Sequence, residues 1–174
     1  SKKHSLDVMD AYLDQDKIMV KHQIEAFDYL MLDKLPKVIE ERNPLKFYDA
    51  YNEKLNKNMK EYHISLTKFT FSKPIIKEPD GSVKTMYPHH ARLRNFTYSS
   101  SLYCNIEHKL VKHSEDGTSE IIEFEPITKH PCGMTPIMLG SSLCVLSNIG
   151  NRTKREMSEC AFDDGGYYIV GGGE

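Results

Sequence analysis

The chain of 174 residues has no apolar run long enough to span a bilayer and no leader-like segment at its start. The first absence argues against a membrane helix and the second against secretion. Its four cysteines, Cys104, Cys132, Cys144 and Cys160, include no C-x-x-C pair. The spacing that zinc sites use is therefore missing, and the four read as reduced, mostly buried thiols of an intracellular protein. On that reading Asn95-Phe96-Thr97 and Asn151-Arg152-Thr153 are chance matches to the glycosylation sequon. There is no nucleophile elbow, no P-loop and no H-E-x-x-H, so no catalytic residue and no metal ligand is assigned. Charge of one sign is not in excess either: a net charge of −2 does not announce a nucleic-acid binder.

A hydrophobic content of 39% suffices for one domain with a real core, or most of one. Ser5 caps a short expected helix carrying Leu6, Met9 and Leu13. A second helix is clearer, because Val20, Ile24, Phe27 and Met31 recur at 4-3-4 spacing. Pro36 suits the first turn of a further helical stretch through Glu41, and Asn43-Pro44 breaks it. The polar, lysine-rich Lys46 to Lys60 reads as a loose helix or a mobile connection.

From Glu61 the period changes to two. Ile64 and Leu66 share one face while Phe69 and Phe71 share the other, a phase slip that predicts a bulge. Pro79-Asp80-Gly81-Ser82 is a turn. Phe96, Tyr98, Leu102, Cys104, Ile106 and Leu110 fall on even positions with polar residues between, which predicts a long half-buried strand. Asp116-Gly117 closes a hairpin and Glu120 to Glu125 returns. Pro126 to Gly133 reads as a loop, Thr135 to Leu139 as a short strand, Ser147 to Glu159 as a helix, and Tyr167 to Val170 as a terminal strand expected to fray first. The fold class is α+β, with N-terminal helices packed on a mostly antiparallel sheet.

The chemistry-bearing residues are few. His89 and His90 are adjacent, so on a strand they point to opposite faces, and they read as structural. Arg152, Lys154 and Arg155 are weak candidates for nucleic-acid contact, the alternative being a solvated helix face.

Several stretches together resemble the second-largest, beta-type subunit of multisubunit DNA-directed RNA polymerase in its eukaryotic-like form. They are Tyr87-Pro88-His89-His90-Ala91-Arg92-Leu93-Arg94-Asn95-Phe96-Thr97-Tyr98-Ser99-Ser100, Lys73-Pro74 with Asp80-Gly81, and Thr135-Pro136-Ile137-Met138-Leu139 with Cys144. The most specific is Glu159-Cys160-Ala161-Phe162-Asp163-Asp164-Gly165-Gly166-Tyr167-Tyr168-Ile169-Val170, leading into Gly172 and Glu174. Gln23 and Phe27 also fit. The resemblance runs in order along nearly all of the chain.

It implies that residues 1–174 are the first half of the protrusion domain, with helices over 5–42 and a sheet-rich part over 61–174, the lobe and second protrusion segment being absent. It implies a non-catalytic wall that shapes the DNA cleft of a nucleotidyltransferase and docks other subunits, notably the largest, and initiation factors. DNA template and RNA–DNA hybrid are expected partners in the assembled enzyme. No cofactor is expected in this segment; magnesium and zinc are expected elsewhere in the polymerase. Arg92, Arg94, Gly165, Gly166, Gly172 and Glu174 are carried over as structural motif residues. Arg92 and Arg94 read as a corner tied by guanidinium forks, with Glu120 to Glu125 offering partners; the alternative is a face towards DNA or another subunit.

Gly171 and Gly173 depart from the Asn and Ser common around the family's Gly-Glu, Gly140 replaces a common basic residue, and Val111 to Glu125 is short. These features are similar to polymerases of large cytoplasmic DNA viruses. Localisation would be cytoplasm or virion for a viral protein and nucleus for a cellular one. Ser1 and Glu174 read as cut ends. The alternative function is a free-standing protein-interaction module derived from a polymerase subunit.

Overall fold

The computed structural model describes residues 18–53, 57–114, 116–147 and 149–174; the helix expected from Ser5 lies outside them. In chain order the elements are α1 (Lys21–Asp28), a π-helical turn (Tyr29–Lys34), α2 (Leu35–Arg42), β1 (Leu45–Asn52), β2 (Lys57–Phe71), β3 (Ile75–Lys77) and β4 (Val83–Thr85). They continue with α3 (Pro88–Leu93), β5 (Ser99–His113), β6 (Ser119–Glu123), β7 (Ile127–Pro136) and α4 (Asn151–Glu156). The class is α+β, as expected. No helix among the described residues is long and apolar enough to cross a membrane.

The chain divides into two compact units. One comprises the described residues up to Leu32 with Lys73–Ser100 and Met134–Glu174; the other comprises Asp33–Ser72 and Ser101–Gly133.

The second unit is built on a sheet ordered β1-β2-β5-β6, with β7 also pairing β5; the β1–β2, β2–β5 and β5–β6 pairs are antiparallel. The phase slip read from Phe69 and Phe71 is a β-bulge: the β2–β5 register shifts between Thr67 and Thr70, and Lys68 has φ 52°. Two β2 residues therefore oppose Cys104. The Asp116-Gly117 hairpin forms, Gly117 taking φ 80° and Ser114 donating to the Thr118 carbonyl at 2.9 Å. Pro36 sits in the first turn of α2. Asn43 ends that helix, and its side chain stands in for a strand residue. Its amide nitrogen donates to the Leu66 carbonyl at 2.6 Å, and its amide oxygen accepts the Leu66 N–H at 3.1 Å.

Two expectations in this unit are overturned. Lys46 to Lys60 is neither helix nor mobile connection but most of β1 and the start of β2, paired from Leu45↔Ile64 to Asn52↔Lys57. Leu45 to Asp49 are all exposed, so neither face imposes the alternation that announces a strand; only Phe47, Tyr48 and Tyr51 hinted at one. Pro126 to Gly133 is likewise strand, not loop, and is hidden for the same reason, since Ile127 to Gly133 are exposed throughout.

The first unit holds the main core: Ile24, Phe27, Ile76, Met86, Ala91, Tyr98, Ile137, Met138, Leu139, Cys144 and Ile169, with Val20 and Met31 packed against it. The apolar face read on the first clear helix is thus its buried face. Phe27 meets Tyr168 edge to face at 5.9 Å, and Asp28 accepts the Ser142 N–H and hydroxyl. Tyr167 to Val170 is not a ladder strand: its one bridge joins Val170 to Gly173. Instead its carbonyls serve two neighbours, Tyr167 accepting from Leu139 N–H and Ile169 from Tyr98 N–H, each at 2.9 Å. Ile169 is fully buried while Tyr168 and Val170 are exposed, so the segment is anchored in the core through Ile169. Thr135 to Leu139 is also split, β7 ending at Pro136 before the buried Ile137 to Leu139. The helix expected over Ser147 to Glu159 is confined to α4. Of the thiols, Cys104 and Cys144 are buried, while Cys132 and Cys160 are exposed.

Candidate functional site

Tyr87 is extended, Pro88 opens α3, and Asn95 leaves it with φ 54°. His89 and His90 therefore lie in a helical turn, not on a strand, because the proline presets the first helical position. That turn buries Ala91 in the core and sets Arg92 among four acceptors. Arg92 Nε donates to Glu174 Oε1 at 2.5 Å, Nη2 to the Tyr167 hydroxyl at 2.6 Å, and Nη1 to Glu159 Oε2 at 3.4 Å; Asp163 Oδ2 is 3.6 Å from Nη2. Arg94 forks onto Glu78 at 2.6 and 3.0 Å and lies 4.8 Å over the Phe96 ring. The Arg94 hydrogen bond holds the Glu78 carboxyl below its ordinary range.

The expected partners, Glu120 to Glu125, are not those of the arginines. Glu120 and Glu123 stand opposite Lys112 and Lys109 across the β5–β6 ladder, where a cross-strand charge pair is the local solution. The carboxylates that do reach Arg92 were all within the Glu159-to-Glu174 motif, but nothing in a linear pattern pairs positions 67 to 82 residues apart.

Glu159 is the buried member, 6% exposed. Its Oε1 accepts the His89 N–H at 2.7 Å, so one carboxylate joins the start of α3 to its end. Asp163 accepts the Gly165 N–H at 2.9 Å and the Tyr167 hydroxyl at 2.5 Å. Burial, then that hydrogen bond, push the Tyr167 phenol up. Two glycines explain why the motif is written as it is. A Cβ on Gly165, at φ 79°, would stand 2.3 Å from the Leu139 carbonyl oxygen; one on Gly172, at φ 84°, would stand 2.7 Å from Asn95 Oδ1. Gly166 donates to the same Leu139 carbonyl at 2.9 Å, and Gly172 to the Phe96 carbonyl at 3.1 Å. Arg92, Gly165, Gly166, Gly172 and Glu174 therefore belong to one knot, and Arg94 flanks it.

Of the basic trio, Lys154 and Arg155 lie in α4; the Arg152 side chain is outside the described residues. Arg155 lies 5.4 Å over the ring of Phe162, which is 83% exposed. That open aromatic was not singled out in the sequence, and only its place in the motif marked it. Among the described residues no group of three or more His, Cys, Asp or Glu is placed to hold a metal ion.

The family described as RNA polymerase beta subunit matches residues 18–174. Among similar proteins, "DNA-directed RNA polymerase II subunit 2" of Arabidopsis thaliana is 34% identical over 171 residues, covering 96% of this chain and 14% of that protein. "DNA-directed RNA polymerase II subunit RPB2" of Encephalitozoon cuniculi is 31% identical over 175 residues, 100% of this chain and 15% of the relative. "DNA-directed RNA polymerase subunit Rpo2N" of Methanothermobacter thermautotrophicus is 31% identical over 173 residues, 99% of this chain and 30% of the relative. The chain belongs to the RNA polymerase beta subunit family. Its likeness is to the N-terminal domain of the second-largest subunit, and it spans less than a third of the length of these relatives.

Proposed function

We propose that the chain is the first half of a protrusion domain and works as a non-catalytic wall of a DNA-directed RNA polymerase. In this reading it shapes the DNA cleft, docks the largest subunit and initiation factors, and lies near template DNA and the RNA–DNA hybrid. The nucleotidyl transfer, with its magnesium, and the structural zinc belong to other parts of the assembly. The observation that carries the reading is the ordered family match over residues 18–174. The knot around Arg92 supports it, since its carboxylates are occupied by an arginine, a tyrosine and backbone N–H groups rather than left open towards a substrate. A braced turn of this kind suits a surface whose work is to hold shape.

The test is isolation of the protein by an affinity tag from the cells that make it. The expected result is co-purification with a largest-type polymerase subunit and template-directed RNA synthesis by the isolate. On that isolate, charge removal at Lys154 and Arg155 should lower the magnitude of the salt slope of DNA binding by about 0.9 per lost phosphate contact. Recovery without any other polymerase subunit and without RNA synthesis overturns the reading.

A further inference from the structure

Cys104 is 1% exposed and lies on β5 opposite the β2 bulge. Cys132 is exposed and lies on β7, which pairs with the same β5. The two Sγ atoms are 2.7 Å apart, against a disulfide bond of about 2.05 Å. The neighbouring contact is also fixed: the Lys129 N–H donates to Asn105 Oδ1 at 3.0 Å and holds β7 beside β5. The two sulfurs are already in contact. Without C-x-x-C spacing, sequence alone gave no reason to pair them.

We propose that Cys104 and Cys132 are a dithiol modification site that closes reversibly to a disulfide by exchange with a low-molecular-weight disulfide such as glutathione disulfide. Cys132 is the entry point because it meets solvent. Its thiolate attacks one glutathione sulfur, forming the mixed disulfide and expelling one glutathione thiolate. Cys104 then attacks Cys132 Sγ, the mixed bond breaks, and the second glutathione leaves as thiolate. Two electrons pass from the protein to the oxidant, and the two cysteine protons end on the two released glutathiones. Burial, with the Cys132 contact, pushes the Cys104 thiol up to about 11. That keeps Cys104 protonated and leaves the first attack to Cys132. The proposal is independent of the polymerase reading.

The protein, in the assembly from which it is isolated, is equilibrated in glutathione buffers of graded ratio and quenched with N-ethylmaleimide. Trypsin leaves Cys104 on Asn95–Lys109 and Cys132 with Cys144 on His130–Arg152, so fragmentation within the second peptide assigns the bonded sulfur. The expected result is a Cys104–Cys132 cross-link that appears in one two-electron transition, reverses with reductant, and is abolished by Cys132→Ser. Cys104→Ser should instead accumulate glutathione on Cys132, a readout that survives any loss of stability in the other variant. Absence of the cross-link at the oxidised limit overturns the proposal, as does a stable mixed disulfide on Cys132 in the unaltered protein. Links to Cys144 or Cys160 in place of Cys104–Cys132 overturn it too.

Discussion

Glu159 holds Arg92 with one carboxylate oxygen, 3.4 Å from Nη1, and the His89 N–H with the other, at 2.7 Å. A single buried side chain thus joins the helix that carries Arg92 to the turn that Arg92 also reaches through Tyr167 and Glu174. Removing one partner leaves the other charge with its desolvation uncompensated. Arg92→Ala is expected to destabilise the protein by about 3 kcal/mol, measured by chemical denaturation. Arg92→Lys should recover less than half, because a single ammonium cannot present separate nitrogens in the geometry that Glu159, Tyr167 and Glu174 occupy. Full recovery by lysine would mean that charge alone matters and the fork does not.

Gly165 and Gly117 take nearly the same backbone conformation, φ 79° and 80°, yet differ in their surroundings. A Cβ at Gly117 meets nothing within 4 Å, while one at Gly165 meets the Leu139 carbonyl oxygen at 2.3 Å and its carbon at 2.6 Å. Gly117→Ala should therefore show only the conformational cost, about 1 kcal/mol. Gly165→Ala should cost at least about 3 kcal/mol, because backbone rather than a flexible side chain must give way. The contrast is read as a difference in thermal midpoint between the two variants; equal midpoints would refute the close-approach account.

Much of this was legible in the sequence, and what escaped did so for physical reasons. The 4-3-4 spacing from Val20 to Met31 marks a helix because a core lies on one side of it. The slip between Leu66 and Phe69 marks the bulge because a face change alters which residues are apolar. Leu45 to Asp49 and Ile127 to Gly133 are exposed strand segments, and a strand with no buried face writes no period. Tyr167 to Val170 reads as a terminal strand because apolar run and final position are linear properties; its attachment depends on Tyr98 and Leu139, which come from elsewhere. The residues of the Arg92 knot were visible as a motif, but their pairing was not, since hydrogen-bond partners so distant in sequence are set by the folded chain alone.

Glu61 gives the fold an acid-side dependence. Its Oε2 lies 3.1 Å from His63 Nε2 and its Oε1 lies 3.2 Å from His113 Nε2. The His63 hydrogen bond is the largest influence; burial opposes it and the His113 hydrogen bond adds to it, so the carboxyl is held below its ordinary value. A group whose folded pKa is depressed contributes stability that is present above the unfolded pKa, about 4.3 for glutamate, and is lost as pH falls through the folded pKa. Glu61→Gln is expected to lower stability near pH 6 and to flatten its decline towards pH 3. Denaturation midpoints taken across that range check it; parallel curves for the two proteins would exclude the contribution.

The segment Tyr167 to Val170 is expected to be among the last parts of its unit to open. Terminal position alone would make it fray, and the sequence invited that expectation. The structure gives it two attachments, Tyr98 N–H to the Ile169 carbonyl and Leu139 N–H to the Tyr167 carbonyl, each 2.9 Å, and just beyond it Gly172 N–H donates to the Phe96 carbonyl at 3.1 Å. Ile169, Tyr98 and Ile137 are each fully buried. Local opening of this segment would expose apolar area and strand buried N–H groups, so its free energy should approach that of global unfolding. Hydrogen exchange must be read on the donors rather than on the segment itself, because it is the carbonyls of Tyr167 and Ile169 that serve these bonds. The amides of Tyr98 and Leu139 should exchange in the slowest class, with Ile137, which donates to the Tyr98 carbonyl at 2.9 Å. The amide of Lys129 is the internal comparison: it donates to the Asn105 side chain on an exposed strand and should exchange orders of magnitude faster. Exchange of Tyr98 and Leu139 at the Lys129 rate would show that the final segment detaches independently, and would restore the fraying that its place in the sequence suggests.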